Sequence, residues 1–314
     1  DTYTYLVVWY DQNTETYSNS STTPLSHTLA AANDTIILSN LPLDATGRTT
    51  HWLIYRKNTG PGTVDDYFYY INQVVYNPAA ATYSDVDQYP DYTRVLEYDN
   101  YPPDVSDGCC LVASQKLMLY YKNNTITWSK RLRYQNVPTL NRDSIQDDTN
   151  TIKKVIEFKG GILVFKSDSI YAIIGDLLGA YQIKRISYSV GTNSPDSIAI
   201  DTDGVYFIDS MGKPRVFTPT DFNSEDLRDL TDISFKYREK FALLNRINLP
   251  YVFGVIWKRA DISQYRVFLP INSTVPACDR CFIYDISIAM RNNGDSAWFD
   301  THLGVGATSA TVCG

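Results

Sequence analysis

The residues best suited to metal or nucleophilic chemistry are five cysteines and three histidines. Cys109 and Cys110 are adjacent, Cys278 and Cys281 form a C-x-x-C, and Cys313 stands close to the last residue. A zinc knuckle needs a second Cys or His pair at matching spacing, and none accompanies this one. Dithiol redox chemistry needs its motif at a helix start, where the thiol pKa falls. Cys278-Asp-Arg-Cys281 runs instead into Phe282-Ile-Tyr-Asp285, a strand pattern. The cysteines therefore read as reduced structural thiols, which suits assembly in a cytoplasm. His27, His51 and His302 have no His or Cys within the next few positions, so no metal centre is expected. Ser/His/Asp hydrolysis has no G-x-S-x-G to start from, and P-loop, H-E-x-x-H and dinucleotide fingerprints do not occur. The expectation is a non-enzyme: no catalytic residue, no cofactor-binding residue, no metal ligand.

The carboxylates leave one enzymatic alternative open. Glycoside hydrolysis needs two carboxyl groups facing each other about 5–9.5 Å apart. Asp168, Asp209 and Glu157 sit at predicted strand ends, but spacing along the chain pairs none of them, and no sialidase-type S-x-D-x-G-x-x-W box occurs. Asp201-Thr-Asp203-Gly204 is a fragment of a calcium loop without its third aspartate or its downstream glutamate, and reads as an ordinary Asp-Gly turn. Asp85, Asp87 and Asp91 crowd one loop and read as solvated. A carbohydrate-binding module would draw on exposed aromatic rings, with Tyr120, Tyr121 and Trp128 as the clustered candidates. Asn19, Asn33, Asn123 and Asn272 stand in N-x-S/T sequons, near chance in a chain this rich in Asn, Ser and Thr.

Bulk properties narrow the partners. The formal net charge is −7, and the densest basic cluster, Lys130-Arg131-x-Arg133, is too short to act as a phosphate-neutralising stripe. A wall lining a DNA conduit would gain from repelling phosphates, although acidic pI is common among soluble proteins. No run approaches the ~20 apolar residues that cross a bilayer. The chain opens Asp1-Thr-Tyr-Thr-Tyr5, strand-like from the start and without a signal peptide's basic n-region, so a processed or partial piece of a longer protein is expected.

The elements that would position these residues are strands almost throughout. Twenty-five Tyr against twelve Phe favours half-buried pleated surfaces, where the ring packs and the hydroxyl stays wet. Its 314 residues suggest two domains. In residues 1–100, alternating runs at 3–10, 34–38, 51–57, 67–75 and 82–83 are separated by turn residues such as Leu41-Pro42-Leu43 and Asn77-Pro78, as in a β-sandwich. Residues 101–314 carry a repeat. The hairpins at 116–128, 160–172 and 204–216 recur at about 40–45 residues, the period of propeller blades, with turns at Asn123-Asn124, Ser167-Asp168 and Gly212. Two looser hairpins follow, 252–257 to 265–269 and 281–288 to 297–299. The expectation is four to five blades, with a helical insertion over Asn223 to Leu244.

Particular motifs carry a family resemblance. Leu38-Ser-Asn-Leu-Pro42, Thr50-His-Trp-Leu-Ile-Tyr-Arg56, Tyr67-Phe-Tyr-Tyr-Ile-Asn72 and Ala81-Thr-Tyr-Ser-Asp-Val86 resemble fibronectin-type-III-like domains associated with bacteriophages. Gly161-Ile-Leu-Val-Phe-Lys166, Asp168-Ser-Ile-Tyr171, Ser189-Val-Gly191, Asp196-Ser-Ile198, Gly204-Val-Tyr-Phe-Ile208 and Phe282-Ile-Tyr-Asp285 resemble phage-tail propeller proteins of the nozzle, hub or ring type. The resemblance implies a virion protein, assembled in the host cytoplasm. It would form a symmetric ring, often sixfold, with copies of itself and adjoining tail proteins, around DNA in transit and without membrane insertion. It implies no catalytic residues. A glycan-binding or glycan-cleaving propeller is the alternative.

Overall fold

The computed structural model describes residues 2–29, 35–60, 65–86, 89–145, 150–219, 230–271, 277–291 and 297–307. It is all-β and divides into two compact units, residues 1–104 with 127–142, and residues 105–126 with 143–314.

In the first unit the strands are β1 (Thr2–Asp11), β2 (Thr16–Ser20), β3 (Leu25–Thr28), β4 (Ile36–Ser39), β5 (His51–Asn58), β6 (Tyr69–Val75), β7 (Thr82–Asp85) and β8 (Asp91–Val95). One sheet has the order β2-β1-β5-β6-β8, with β3 also on β1, while β4 and β7 form a separate antiparallel pair. The unbroken apolar run in β1 follows from burial on both faces. Tyr5 and Val7 pack with Leu38 and Trp52, whereas Leu6 and Val8 pack with Leu53 and Leu96. The Leu41-Pro42 turn is held by that core. Leu41 is buried, and the Pro42 carbonyl accepts the indole N–H of both Trp9 (2.9 Å) and Trp52 (2.8 Å), which face each other across β1 and β5.

Asp85 departs from its expected solvated place. Period-two alternation along β7 puts Tyr83 and Asp85 on the core face, so Asp85 ends its strand buried. Its Oδ2 accepts from Arg56 Nη1 at 2.7 Å and from the Tyr5 hydroxyl at 2.6 Å. Burial, together with that bond to Asp85, pushes the Tyr5 phenol well above its ordinary range. Asp91 instead opens β8 and accepts from the backbone and hydroxyl of Thr93. Asp87 lies outside the described residues.

Beyond residue 104 the chain forms four successive four-stranded antiparallel sheets among the described residues. The first contains β9 (Gly108–Val112), β10 (Leu117–Lys122), β11 (Thr125–Trp128) and β12 (Arg142–Ser144), where the chain passes between the units. The second contains β13 (Ile152–Phe158), β14 (Gly161–Lys166), β15 (Ile170–Gly175) and β16 (Tyr181–Ser187). The third contains β17 (Ala199–Ile200), β18 (Val205–Ile208), β19 (Pro214–Phe217) and β20 (Leu230–Asp232). After the short helix α1 (Arg238–Ala242), the fourth contains β21 (Phe253–Arg259), β22 (Ile262–Leu269), β23 (Cys278–Asp285) and, beyond helix α2 (Ile286–Arg291), β24 (Trp298–Ala307). Every sheet is a meander whose strands neighbour one another in chain order.

Each sheet covers the next, which explains strands buried on both faces. In β18, Val205 and Phe207 pack toward the second sheet, where Phe207 meets Phe165 edge-on at 5.2 Å. Tyr206 and Ile208 pack toward the fourth, where Tyr206 lies on Tyr265 at 5.5 Å. Glu157 of the second sheet accepts the backbone N–H of Ala113 (2.6 Å) and Ser114 (3.0 Å), the turn between β9 and β10. This arrangement is propeller-like: a single sheet cannot bury both faces, and a sequential stack can.

Two expectations need correction here. The helix over Asn223 to Leu244 is not formed as expected: residues 220–229 lie outside the described residues, Leu230–Asp232 is an edge strand on β19, and only Arg238–Ala242 is α-helical. Phe241, from this short helix, and Leu244 just beyond it fill the core around Phe282. Both looser hairpins are formed, and they join in one sheet, because β22 pairs with both β21 and β23. The expected strand to Ile288 stops at Asp285, whose Oδ1 accepts the Ile288 N–H at 2.9 Å and starts α2.

Candidate functional site

The residues singled out by chemistry are occupied by structure. Asp209 organises the β18–β19 turn, accepting the N–H groups of Met211 (2.9 Å) and Lys213 (2.8 Å) and the Arg215 guanidinium at 2.9 Å. Asp168 accepts from Asn150 Nδ2 at 3.1 Å, and Glu157 holds the Ala113 turn. Each of the three acids has its own separate partners. Asp201 is bound by Lys258 Nζ and by the Ser263 hydroxyl at 2.8 Å; burial would raise its pKa, but these partners bring it below its ordinary value. Asp203 lies near Lys159 at 3.9 Å. Among the described residues no group of three or more His, Cys, Asp or Glu side chains could hold a metal ion. Among the same residues no helix is long and apolar enough to cross a membrane.

The proposed aromatic cluster fails for glycans, because Tyr121 and Trp128 are buried. In each strand they occupy the inward-facing parity, with Leu119 and Ile126. Lys130 and Arg133 bind Glu97, and Lys130 also donates to the Tyr98 carbonyl at 2.7 Å and to Asn100 Oδ1 at 2.6 Å. That cluster serves the fold of the first unit. Cys109, Cys110, Cys278 and Cys281 are free thiols. The C-x-x-C lies within β23, where an extended rise places its Cα atoms about 10 Å apart, too far for a disulfide. Burial pushes the Cys278 thiol up to about 12 and that of Cys281 up to about 11. His51 accompanies Thr50 at 3.0 Å on β5, and His27 lies on β3; the His302 side chain, Cys313, Asn33 and Asn272 lie outside what is described.

What the polar chemistry does build is a buried seam between sheets. Residues 191–197 run through it, and Thr192, Ser194 and Ser197 are fully buried. Thr192 N–H donates to the Lys166 carbonyl at 2.8 Å, beside the β14–β15 turn. Its hydroxyl donates to the Ile208 carbonyl at 2.6 Å and accepts the Ser194 N–H at 2.9 Å. The Ser194 hydroxyl donates to the Leu249 carbonyl at 2.6 Å. The Ser197 hydroxyl donates to the Ser194 carbonyl at 2.7 Å and accepts the Ile208 N–H at 3.0 Å. The Tyr265 hydroxyl closes the set by donating to the Ser197 carbonyl at 2.8 Å. Burial pushes that phenol far above its ordinary range, so it remains a neutral donor.

The seam thus ties the second, third and fourth sheets through one segment. Close backbone approach makes this possible. A Cβ on Gly191 would stand 2.2 Å from the Lys166 carbonyl oxygen, and one on Gly254 would stand 2.7 Å from that of Ser197. A buried network in which every hydroxyl is satisfied rigidifies and specifies a single packing. Sequence reasoning picked out Ser189-Val-Gly191 and Asp196-Ser-Ile198 as motif fragments but assigned no role to Thr192, Ser194, Ser197 or Tyr265. The available signal was a run of small hydroxyl residues next to glycine and proline, which by itself reads as a surface turn.

No family model matches the chain, and no curated protein matches it. Among solved structures, apo AztD from Citrobacter koseri is similar at 8% identity over 98% of this chain and 99% of that chain, with a TM-score of 0.36. Hsv2 from Kluyveromyces lactis is similar at 11% identity over 89% and 75% of the two chains, with a TM-score of 0.30. Human WBSCR16 is similar at 11% identity over 90% and 88%, again at 0.30. Likeness this slight carries no weight for function and adds none to the fold, which rests on the sheets themselves.

Proposed function

We propose that this chain is a non-catalytic structural component of a bacteriophage tail, a nozzle, hub or ring protein surrounding the DNA channel. In this reading residues 1–100 are a fibronectin-type-III-like sandwich that docks neighbouring subunits or the next tail protein, and residues 101–314 are propeller blades forming a stiff wall. The observation that carries it is the seam at 191–197: the second unit spends its buried hydroxyls on locking successive sheets together. Strand-end acids that a hydrolase would aim at substrate are instead bound to backbone amides, asparagine or arginine. The phage-associated motifs around Leu41-Pro42 and Tyr55-Arg56 support the same reading, as does a net charge of −7, which disfavours phosphate adhesion to a conduit wall.

The mechanism is geometric. Copies closing into a ring by repeated head-to-tail contacts make a tube segment, and the wall holds its bore while DNA passes. Single-particle imaging of the purified assembly tests this. A closed ring with an axial channel is expected, with six copies as the favoured number. A monomer that cleaves polysaccharide overturns it in favour of a glycan hydrolase.

A further inference from the structure

The first unit holds an open groove of about 540 Å³. It arises from the way one edge of β1 is covered. β2 pairs with the second half of β1 and β3 with the first half, and residues 21–24 between them step out of the ladder. The step is pinned by Ser18, whose hydroxyl accepts the Trp9 N–H at 2.9 Å, and by Ser21, whose N–H donates to the Val7 carbonyl at 2.8 Å. Trp9 and Pro42 lie in the opening thus formed, and Ser20, Thr22, Thr23 and Asn40 stand around it.

The groove's chemistry selects a ligand class. Every residue lining it is uncharged, so neither phosphate nor a basic or acidic peptide finds a counter-charge there. The Trp9 ring is half-buried and its N–H is committed to the Pro42 carbonyl at 2.9 Å, so it offers apolar ring surface held in one orientation. The side chains of Ser20, Thr22, Thr23 and Asn40 make no hydrogen bond within the described residues. Each can both donate and accept. A rigid apolar ring beside unused, uncharged donor–acceptor groups matches a pyranose, which is apolar on its C–H faces and ringed by hydroxyls. The volume falls in the range of small-ligand sites. We infer that this groove, formed by Trp9 with Ser20, Thr22, Thr23 and Asn40, is a binding site for a neutral saccharide. Binding there is independent of whether the chain closes into a ring.

The test is calorimetric titration of the full chain with neutral oligosaccharides of glucose, galactose, mannose and N-acetylglucosamine, alongside sialylated and sulfated ones, with tryptophan fluorescence as a second readout. At least one neutral sugar is expected to bind and to perturb the fluorescence. Trp9 packs against the core, so the variants that carry the test are on the exposed rim: Asn40→Gly, which suits that residue's φ of +55°, and Thr22→Ala with Thr23→Ala. They should weaken binding by about tenfold with unchanged thermal unfolding. Three results overturn the assignment: no neutral sugar binding up to about 10 mM, equal binding by the rim variants, or preference for the anionic sugars. Loss of self-association in the rim variants, without any sugar binding, would overturn it too and give the groove to a second copy of the chain.

Discussion

Removing the Ser197 hydroxyl is the sharpest perturbation of the seam. Ser197→Ala deletes one oxygen and creates almost no cavity, so its cost is electrostatic. The Ser194 carbonyl keeps a partner, because it still accepts the Ser197 N–H at 3.0 Å. The Ile208 N–H loses the Ser197 oxygen it donates to at 3.0 Å, and both residues are fully buried, so water cannot replace that acceptor. An orphaned buried donor costs about 1–3 kcal/mol, and the lost hydroxyl-to-carbonyl bond adds about 1 kcal/mol. The expected destabilisation is therefore about 2–4 kcal/mol. In urea, a 3 kcal/mol loss with a slope of about 3 kcal/mol/M moves the midpoint down by about 1 M. Amide exchange at Ile208 should accelerate before that of the first unit's strands. A midpoint shift below about 0.2 M with unchanged Ile208 exchange would refute the claim that these hydroxyls lock the sheets.

The buried pair in the first unit should behave asymmetrically. Asp85→Ala removes the carboxylate paired at 2.7 Å with the Arg56 guanidinium, whose side chain is 7% exposed, and should cost about 3–5 kcal/mol in thermal unfolding, while Arg56→Met with Asp85→Leu should cost much less. Equal losses in the single and double variants would contradict this. Asp44 is partly buried, which would raise its pKa, but hydrogen bonds from Thr46 and Thr49 bring it well below the carboxylate range. A depressed folded value means its contribution is complete above the unfolded pKa of about 4 and is lost as pH falls further. Amide protection at Thr46 and Thr49, taken as exchange relative to the intrinsic rate at each pH, should therefore stay constant from pH 7 to 5 and fall only at stronger acidity. Of the four described thiols, exposed Cys109 should react first with a maleimide at pH 8, while Cys278 and Cys281, pushed up to about 12 and 11, should label only after denaturation; peptide mapping distinguishes them.

Much of this architecture was open to reading from local chemistry. The hairpins at 116–128, 160–172 and 204–216 announce themselves by alternation on either side of a tight turn, and Gly212 does take a positive φ of +82°. Phe282 to Asp285 was recognisable as strand, and the strand in fact begins earlier, at Cys278. The helix expected over 223–244 misled because apolar spacing in a polar stretch does not say whether the core lies on one side of a helix or around a single turn. Asp85 misled for a related reason. Three aspartates close together look solvated until β7 is paired with β4, after which parity places one of them inside.

Sequence alone determined strand, turn and repeat, since these depend on neighbours a few positions away: side-chain alternation, backbone sterics at glycine and proline, and the chain length of one meander. Only the tertiary structure decided which polar groups are buried and with whom. Thr192, Ser194 and Ser197 look like any surface turn until Ile208, Leu249 and Tyr265 are laid against them from distant positions. The worth of a hydroxyl depends on whether water can reach it, and that is a property of what packs over it, which no local pattern records.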